Sequence, residues 1–287
     1  RARTLPKHGQ GVYALWGWHD WGKVDAIAEK TSMKIYLISL ERDKQRRDLL
    51  KDRFPAHWDK FTWVKAIDAS EAKSQIIVNG YKNNCPENTR LPLSLGEKCC
   101  AISHLQCLQQ FLKSDAPYCI IIEDDIEGCD TDFTEALNIT KKLRNEPAIV
   151  VLGGQQGMKN AKYLSGQLHS DNFWKVPKIS MPFLTRACCY ALNRAAAEKL
   201  VKSQKSYLRR SDIWEYYFKL EIRFFYSDIF KHPIDLKNSR LETERKTIGV
   251  VQKIINDGIS NMASRSFKKI LIFIGFTSRQ LSKVSIK

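Results

Sequence analysis

Short apolar segments alternate with amphipathic segments along this chain, and the alternation predicts the order of its secondary structure. Residues 34–40 (KIYLISL) and 118–125 (YCIIIEDD) begin as continuous apolar runs of the kind that forms buried strands. Residues 61–69 (FTWVKAIDA) and 147–154 (PAIVVLGG) predict two further strands. Helical segments separate these runs, beginning with the highly charged residues 41–54. The pattern therefore predicts an α/β fold with a largely parallel sheet.

The clearest helix begins after Ser94. The Ser94 hydroxyl and the Glu97 carboxylate have the spacing of a capping box, which marks a helix N-terminus. Asp115 and Pro117 mark the end of the helix. The apolar stripe between these signals consists of Leu105, Leu108, Phe111 and Leu112.

Acidic residues and glycines directly end two of the predicted strands. In open α/β sheets, ligands bind outside the carboxyl ends of the strands, where Glu123-Asp124-Asp125 and Gly153-Gly154 stand. Three adjacent carboxylates repel one another unless a cation is present, and Mn²⁺ or Mg²⁺ with oxygen ligands resolves that repulsion. Because strand side chains alternate, Glu123 and Asp125 are predicted to face the same side. A solvated acidic turn is the alternative interpretation, and the sequence leaves it open.

The chain is strongly basic, and the excess is concentrated near the C-terminus. Its 287 residues carry 47 Lys+Arg and 31 Asp+Glu, a formal net charge of +16, which favours polyanionic partners. Residues 201–287 hold 18 of the basic and 8 of the acidic residues, and no acid follows Asp257. Basic residues flank the apolar run 270–276, which is too short to span a bilayer. We expect a basic amphipathic helical tail at 241–287, whose residues 262–287 anchor it to an anionic membrane surface or pack on the domain.

Two further features bear on domain organisation and compartment. Residues 1–32 contain three tryptophans and no clear period, and Met33 stands directly before the first predicted strand. The sequence therefore predicts an upstream extension at 1–32 and a core domain at 33–240. The 8 cysteines include no C-x-x-C pair, which disfavours a thiolate zinc site. Because no signal peptide precedes the core, we expect a reducing, cytoplasmic compartment.

Four short motifs follow one another in the first half of the chain. They are Ile38-Ser39-Leu40, Arg46-Arg47, residues 96–104 (GEKCCAISH) and Glu123-Asp124-Asp125. An opening strand, paired arginines, a G-E-x-x-C-x-x-S-H helix and an E-D-D strand end together resemble glycosyltransferase family 25, the lipooligosaccharide galactosyltransferases. The resemblance extends over roughly residues 34–235.

Later segments depart from the pattern of that family. The family has G-T-x-G-Y followed by S-R-x-A-A, whereas this chain has RACCY at 186–190 and NRAA at 193–196. Only the aspartate of a later P-V-D segment is kept, as Asp212. The departures fall where the sugar pocket is expected, so the resemblance does not define the shape of that pocket.

The resemblance implies a GT-A-like nucleotide-sugar transferase with a parallel-rich sheet and a basic helical C-terminus. Asp125 and Glu123 would hold Mn²⁺ (or Mg²⁺) on the donor diphosphate, and Asp212, with Asp235 in reserve, would deprotonate the acceptor in an inverting transfer. The residues expected to bind substrate are Ser39, Arg46, Arg47, His104, Glu123, Asp124, Gly153 and Gly154. The implied reaction moves galactose from UDP-galactose onto lipooligosaccharide, with the enzyme peripheral on the inner, cytoplasmic membrane face.

Each of these roles has a structural alternative. Arg46 and Arg47 also suit a solvated helix face, His104 suits a buried core position, and Asp212 suits a helix N-cap. For the whole chain, the alternatives are a nucleic-acid-binding protein and a nucleotidyltransferase that uses the same carboxylates with Mg²⁺. No RNA- or DNA-binding motif is recognisable, so nucleic acid is not expected as a partner.

Overall fold

The computed structural model describes most of the chain from Met33 onward. Met33–Lys287 forms one compact unit, and residues 1–32 lie outside the described residues. Asp235 and residues 241–265 of the expected tail also lie outside them. The described residues are 33–82, 93–144, 146–158, 160–234, 266–272, 281–284 and 286.

Strands and helices alternate through the first half of this unit, as the apolar pattern predicts. Within the described residues the strands are β1 Lys34–Ser39, β2 Phe61–Lys65, β3 Tyr118–Glu123, β4 Ala148–Gly153, β5 Ser165–Ser170, β6 Phe173–Lys175, β7 Cys189–Asn193, β8 Arg223–Phe230 and β9 Ser282–Lys283. The helices are α1 Lys44–Arg53, α2 Ala72–Asn79, α3 Leu95–Leu112, α4 Asp130–Thr140, α5 Arg194–Ser206 and α6, residues 266–272.

The strands of the described part form one mixed sheet in the order β2-β1-β3-β7-β4-β8-β6-β5-β9. β1 pairs in parallel with β2 and with β3, and β4 pairs in parallel with β8. The remaining pairings are antiparallel. The expectation of a largely parallel sheet is therefore wrong, and the fold is α/β with a mixed sheet.

Two local features account for the reversed strands. Residues 171–172 alone join β5 to β6, and Asn172 has a φ of +50°, so this pair closes as a tight antiparallel hairpin. β7 follows the short 3-10 helix Lys178–Phe183 and runs opposite to both of its neighbours. Because β6 runs opposite to β8 and β7 runs opposite to β4, β6 and β7 share one direction. Residues 176–188 therefore carry the chain across the sheet from the end of β6 to the start of β7, without an α-helix in the connection.

The strands that matter for a ligand site nevertheless share one direction. Because β3 and β4 both run opposite to β7, and β1 and β8 run parallel to them, these four strands end at the same edge of the sheet. Their last residues are Ser39, Glu123, Gly153 and Phe230. This edge corresponds to the carboxyl-end edge at which α/β sheets bind ligands.

The α3 helix begins and packs as its sequence predicts. The Glu97 backbone N–H donates to Ser94 Oγ at 3.2 Å, and the Ser94 N–H donates to the Glu97 carboxylate at 3.0 Å, which completes the capping box. Leu105, Leu108 and Phe111 of the predicted stripe are buried. They pack on one face of the sheet, and α3 thereby presents a fixed set of side chains to the end of β3.

The sheet is covered on both faces. Ile121 of β3 packs into the core beneath α3 and α5, whereas Ile120 and Ile122 pack into the core beneath α1 and α4. This division follows from the alternation of side chains along a strand. Both faces of β3 are therefore fixed by packing immediately before its acidic end.

The described part of the C-terminal tail packs on the domain. Ile272 of α6 and Val284 beside β9 are buried in the same core as α3, and β9 pairs with β5. The prediction of a wholly helical tail is therefore wrong at β9. Phe267 and Ile270 of α6 remain exposed. Among the described helices, none combines the length and the apolar composition that a membrane crossing requires.

Gly153 supports a test of the close packing at this edge. It has a φ of +124°, and a Cβ atom there would overlap the Phe230 carbonyl oxygen. We expect Gly153→Ala to lower the free energy of unfolding by about 3 kcal/mol or more in urea titration. Gly80, with an ordinary φ of −70°, provides the control, and Gly80→Ala should change stability by less than about 1 kcal/mol. Equal losses in the two variants would contradict the packing described.

Candidate active site

The Asp124 carboxylate is bound by Ser39 of β1 and Arg46 of α1. Arg46 Nη1 donates to Asp124 Oδ1 at 3.0 Å, and the same nitrogen lies 3.8 Å from Asp125 Oδ2. Burial raises the pKa of Asp124 to about 6, although hydrogen bonds from Ser39 and Arg46 lower it. The predicted residues Ser39, Arg46 and Asp124 therefore form one cluster at the carboxyl-end edge.

Arg47 is used mainly to fix the turn between β1 and α1. Its guanidinium donates to Ser39 Oγ at 2.9 Å, to the Glu41 carbonyl at 2.9 Å and to the Leu40 carbonyl. It also stacks on Trp63, with Cζ 4.1 Å from the ring centroid, and the Trp63 indole N–H donates to the Ser39 carbonyl. These contacts place Arg47 in a structural role beside the site.

Asp125 faces a histidine from the segment that follows β8. His232 Nε2 lies 3.3 Å from Asp125 Oδ2, and the Asp125 Oδ1 atom is buried without a hydrogen-bond partner among the described residues. Burial opposes ionisation of Asp125, but the hydrogen bond and charge of His232, with the charge of Arg46, hold its pKa below the ordinary value. Burial likewise opposes the charged form of His232, and Asp125 raises the pKa of that histidine.

Backbone pairing brings these two residues together. The Glu127 and Lys231 backbones exchange two hydrogen bonds of 2.9 Å, so the chain beyond β3 lies beside the chain beyond β8. His232 is not among the site residues predicted from the sequence, although Asp235 of the same H-P-I-D stretch is. The local sequence holds no signal for this contact, since it depends on pairing between residues that are far apart in the chain.

Glu123 contacts α3. Its Oε1 atom lies 3.0 Å from His104 Nε2, and His104 Nδ1 lies 3.1 Å from the Tyr190 hydroxyl oxygen of β7. His104 is buried, as the structural alternative for this residue expected, but it contacts the acidic strand end directly. Glu123 and Asp125 therefore have different partners.

Gly153 and Gly154 form the turn that closes β4. Gly154 has a φ of +72°, and a Cβ atom there would overlap Cys188 Sγ. Arg186 spans this turn, with Nη1 donating to the Gly154 carbonyl at 2.6 Å and to the Gln156 carbonyl at 2.9 Å. Arg186 stands where the family pattern G-T-x-G-Y has its first glycine, and it binds the backbone at the end of β4.

Asp212, the first of the two candidate bases, lies within the described residues. The Asp212 carbonyl accepts a 3.0 Å hydrogen bond from the Arg186 N–H, which ties residue 212 to the segment before β7. Asp212 does not begin an α-helix, because the 3-10 helix Trp214–Leu220 starts beyond it. Asp235 lies outside the described residues.

The side chains fit a divalent cation best at Asp125. Its Oδ1 atom lacks a partner among the described residues, and the imidazole of His232 is adjacent. Glu123 and Asp124 already contact His104 and Arg46. Carboxylates suit Mn²⁺ and Mg²⁺, and an imidazole beside them favours Mn²⁺ of the two. Asp125 with His232 is therefore a better donor pair than the predicted pair of Asp125 with Glu123.

Comparison with known proteins identifies the family. The sequence pattern of glycosyltransferase family 25 (LPS biosynthesis protein) matches residues 32–214, more than half of the chain. The chain therefore belongs to glycosyltransferase family 25, as its motifs predict.

Two further similarities are more limited. The lipooligosaccharide biosynthesis protein lic2B of Haemophilus influenzae is 31% identical over 91 residues, which make up 32% of this chain and 33% of that protein. The chain thus aligns with about a third of that curated relative. Mannose-1-phosphate geranyltransferase from Thermus thermophilus superposes at a TM-score of 0.35 and 9% identity, over 68% of this chain and 74% of that one. A superposition at this TM-score does not establish a shared fold, so the GT-A-like fold remains a prediction.

The Arg46–Asp124 ion pair yields a stability prediction. Arg46→Met leaves a buried carboxylate without its cation, and we expect it to lower the free energy of unfolding by about 1 to 3 kcal/mol. Adding Asp124→Asn to that variant should recover most of the loss. The control is Lys44→Met on the same helix, because the Lys44–Asp48 pair is exposed and should contribute less than about 0.5 kcal/mol. Additive losses in the double variant would exclude the pair.

Proposed function

We propose that this family 25 protein is a metal-dependent inverting glycosyltransferase that moves galactose from UDP-galactose onto a sugar of a lipooligosaccharide. The observation that carries the proposal is the arrangement at the carboxyl-end edge, where Asp125 keeps a buried oxygen without a partner among the described residues. Family membership supports the glycosyl transfer, and the name of the lic2B relative supports the acceptor class. The donor sugar, the stereochemistry and the metal are parts of the proposal.

The charges at the edge suit a nucleoside diphosphate. Mn²⁺ bound by Asp125 and His232 would neutralise charge on the departing diphosphate. Arg46 lies within 3.8 Å of Asp125, and a guanidinium is well suited to binding phosphate oxygens. Asp124 orients Arg46 through their 3.0 Å hydrogen bond. The donor diphosphate would therefore lie against Arg46, on the side of Asp125.

Other residues shape the space around the donor. Gly153 and Gly154 let the end of β4 pack closely against Phe230 and Cys188, which brings this turn beside His232 and the proposed donor site. Asp212 follows Ser211, whose hydroxyl lies 3.3 Å from Cys100 Sγ on α3. We assign Asp212 the role of the base that takes the acceptor hydroxyl proton, in keeping with its place in the family pattern.

Transfer assays with product analysis test this function. We expect the purified protein to release UDP from UDP-galactose in the presence of acceptor and Mn²⁺, and to form a product heavier by one hexose. Asp125→Asn should lower the transfer rate at least about 100-fold while leaving the circular dichroism spectrum unchanged, because it removes the anionic metal ligand.

The matched control for this assay is Asp52→Asn, which changes an exposed carboxylate at the far end of α1. This variant should retain full activity. Full activity in Asp125→Asn would exclude the metal role of Asp125. Nucleotidyl transfer, or no transfer from any of a panel of UDP-sugars, would refute the proposed reaction.

We also propose that the protein binds the anionic face of the membrane through α6. Phe267 and Ile270 are 60% and 57% exposed and lie three residues apart on one helix, which puts them on neighbouring positions of its surface. Lys268 and Lys269 instead contact Glu215 and the Tyr163 ring of the domain. These contacts fix the helix while its two large apolar side chains stay available for the lipid interface.

Binding to anionic vesicles by a variant with Phe267 and Ile270 replaced tests this anchor. A deletion of residues 262–287 would also remove the buried Ile272 and Val284, so we expect it to destabilise the domain. Phe267→Gln with Ile270→Gln avoids that loss and should weaken binding to anionic phospholipid vesicles about tenfold or more, without changing activity on a soluble acceptor. Leu168→Gln, at a residue 57% exposed on β5, is the control. Unchanged vesicle binding in the double variant would refute the anchor.

A further inference from the structure

Three side chains of different chemistry converge between α3 and the end of β3. Cys100 and His104 are four residues apart on α3 and therefore lie on one face of the helix. Their ligand atoms and a carboxylate oxygen of Glu123 all lie within 4.8 Å of one another. We propose that Cys100, His104 and Glu123 bind a zinc ion, at a site separate from the one proposed at Asp125.

The partners of His104 are those of a metal-binding histidine. Nδ1 lies 3.1 Å from the Tyr190 hydroxyl oxygen, and a ligating histidine usually donates its other ring N–H to such a partner. With the proton on Nδ1, the lone pair of Nε2 faces Glu123 Oε1 at 3.0 Å. Two acceptors in contact repel each other, and a cation bound by both removes that repulsion.

The thiol also has a suitable neighbour. Cys100 Sγ lies 3.3 Å from Ser211 Oγ, so the serine hydroxyl can donate to a thiolate. Donor atoms around a tetrahedral zinc ion lie about 3 to 4 Å apart, because each bond is about 2.0 to 2.3 Å long. The three ligand atoms lie within 4.8 Å of one another, so separations must shorten by at most about 1 Å for one ion to be bound by all three. Water or a substrate group would complete the fourth position.

Donor chemistry separates this site from the one at Asp125. A thiolate with an imidazole and one carboxylate favours zinc, whereas Asp125 with His232 and phosphate oxygens suits Mn²⁺. The absence of a C-x-x-C pair from the sequence disfavours a zinc site built on several thiolates. A site with a single cysteine needs no such pair, and its signal is the C-x-x-x-H spacing within 96–104.

A zinc ion here would position the acidic strand end. It would tie α3 to β3 at Glu123, the residue directly before Asp124 and Asp125. Asp124 and Asp125 would then keep their distances to Arg46 and His232 when substrate enters. The proposed role is to hold the site in place.

A metal-free arrangement makes the opposite prediction. If Tyr190 donates to Nδ1 and the Nε2–H donates to Glu123, then all the hydrogen bonds of His104 are satisfied without an ion. The protein would then contain no zinc that depends on Cys100.

Metal analysis distinguishes the two arrangements. We expect the full-length protein, dialysed against metal-free buffer, to retain about one zinc ion per chain by inductively coupled plasma mass spectrometry. Cys100→Ser and His104→Gln should each weaken zinc affinity on the order of 100-fold. In the Co²⁺-substituted protein, Cys100→Ser should abolish the thiolate-to-cobalt absorption band.

Two controls isolate the site. Cys129→Ser changes an exposed thiol and should leave zinc content and the cobalt band unchanged. Asp125→Asn should also retain zinc, which separates this proposal from the proposed transfer reaction. Circular dichroism and thermal unfolding confirm that each variant is folded, with Cys100→Ala as a second replacement. Absence of zinc from the wild-type protein, or the same zinc affinity in folded Cys100 variants, would overturn the proposal.

Discussion

The arrangement of the site depends on one electrostatic constraint, the placing of three consecutive carboxylates at the end of β3, where Asp124 is buried and Glu123 and Asp125 are half-buried. Adjacent carboxylates repel one another, and burial increases the cost of their charge. Each of the three carboxylates contacts a basic side chain from a different segment of the chain. His104 of α3 contacts Glu123, Arg46 of α1 contacts Asp124, and His232 beyond β8 contacts Asp125. The acidic strand end therefore sets where α1, α3 and the chain beyond β8 must lie.

The mixed sheet makes this convergence possible. β7 runs antiparallel between β3 and β4, and residues 176–188 bring the chain there from β6 through a short 3-10 helix. Tyr190 of β7 can then lie beside His104, and Arg186 before β7 can bind the turn after β4. β7 and the segment directly before it thus supply one contact each in support of the site.

Local sequence signals predicted those parts of the fold that depend on neighbouring residues. The capping box at Ser94 and Glu97 and the apolar core of β3 act within a few positions, so their sequence pattern is sufficient. The direction of β7 and the place of His232 depend on pairing between distant segments, which periodicity does not encode. The family motifs predicted Arg46 and His104 as substrate-binding residues, and in the structure both contact the acidic strand end.

The partners of the three carboxylates also divide their proposed roles. Asp124 orients Arg46, and Glu123 contacts His104 of α3. Both carboxylates therefore interact with side chains of the protein and are not available to a ligand alone. Asp125 alone of the three has a buried oxygen without a partner among the described residues. An unpaired buried carboxylate oxygen is costly, so it is the one most stabilised by an added cation. The three carboxylates therefore have three different partners, whereas the sequence predicted one metal shared between Glu123 and Asp125. The proposed Mn²⁺ would bind at Asp125, whose Oδ1 atom has no partner among the described residues.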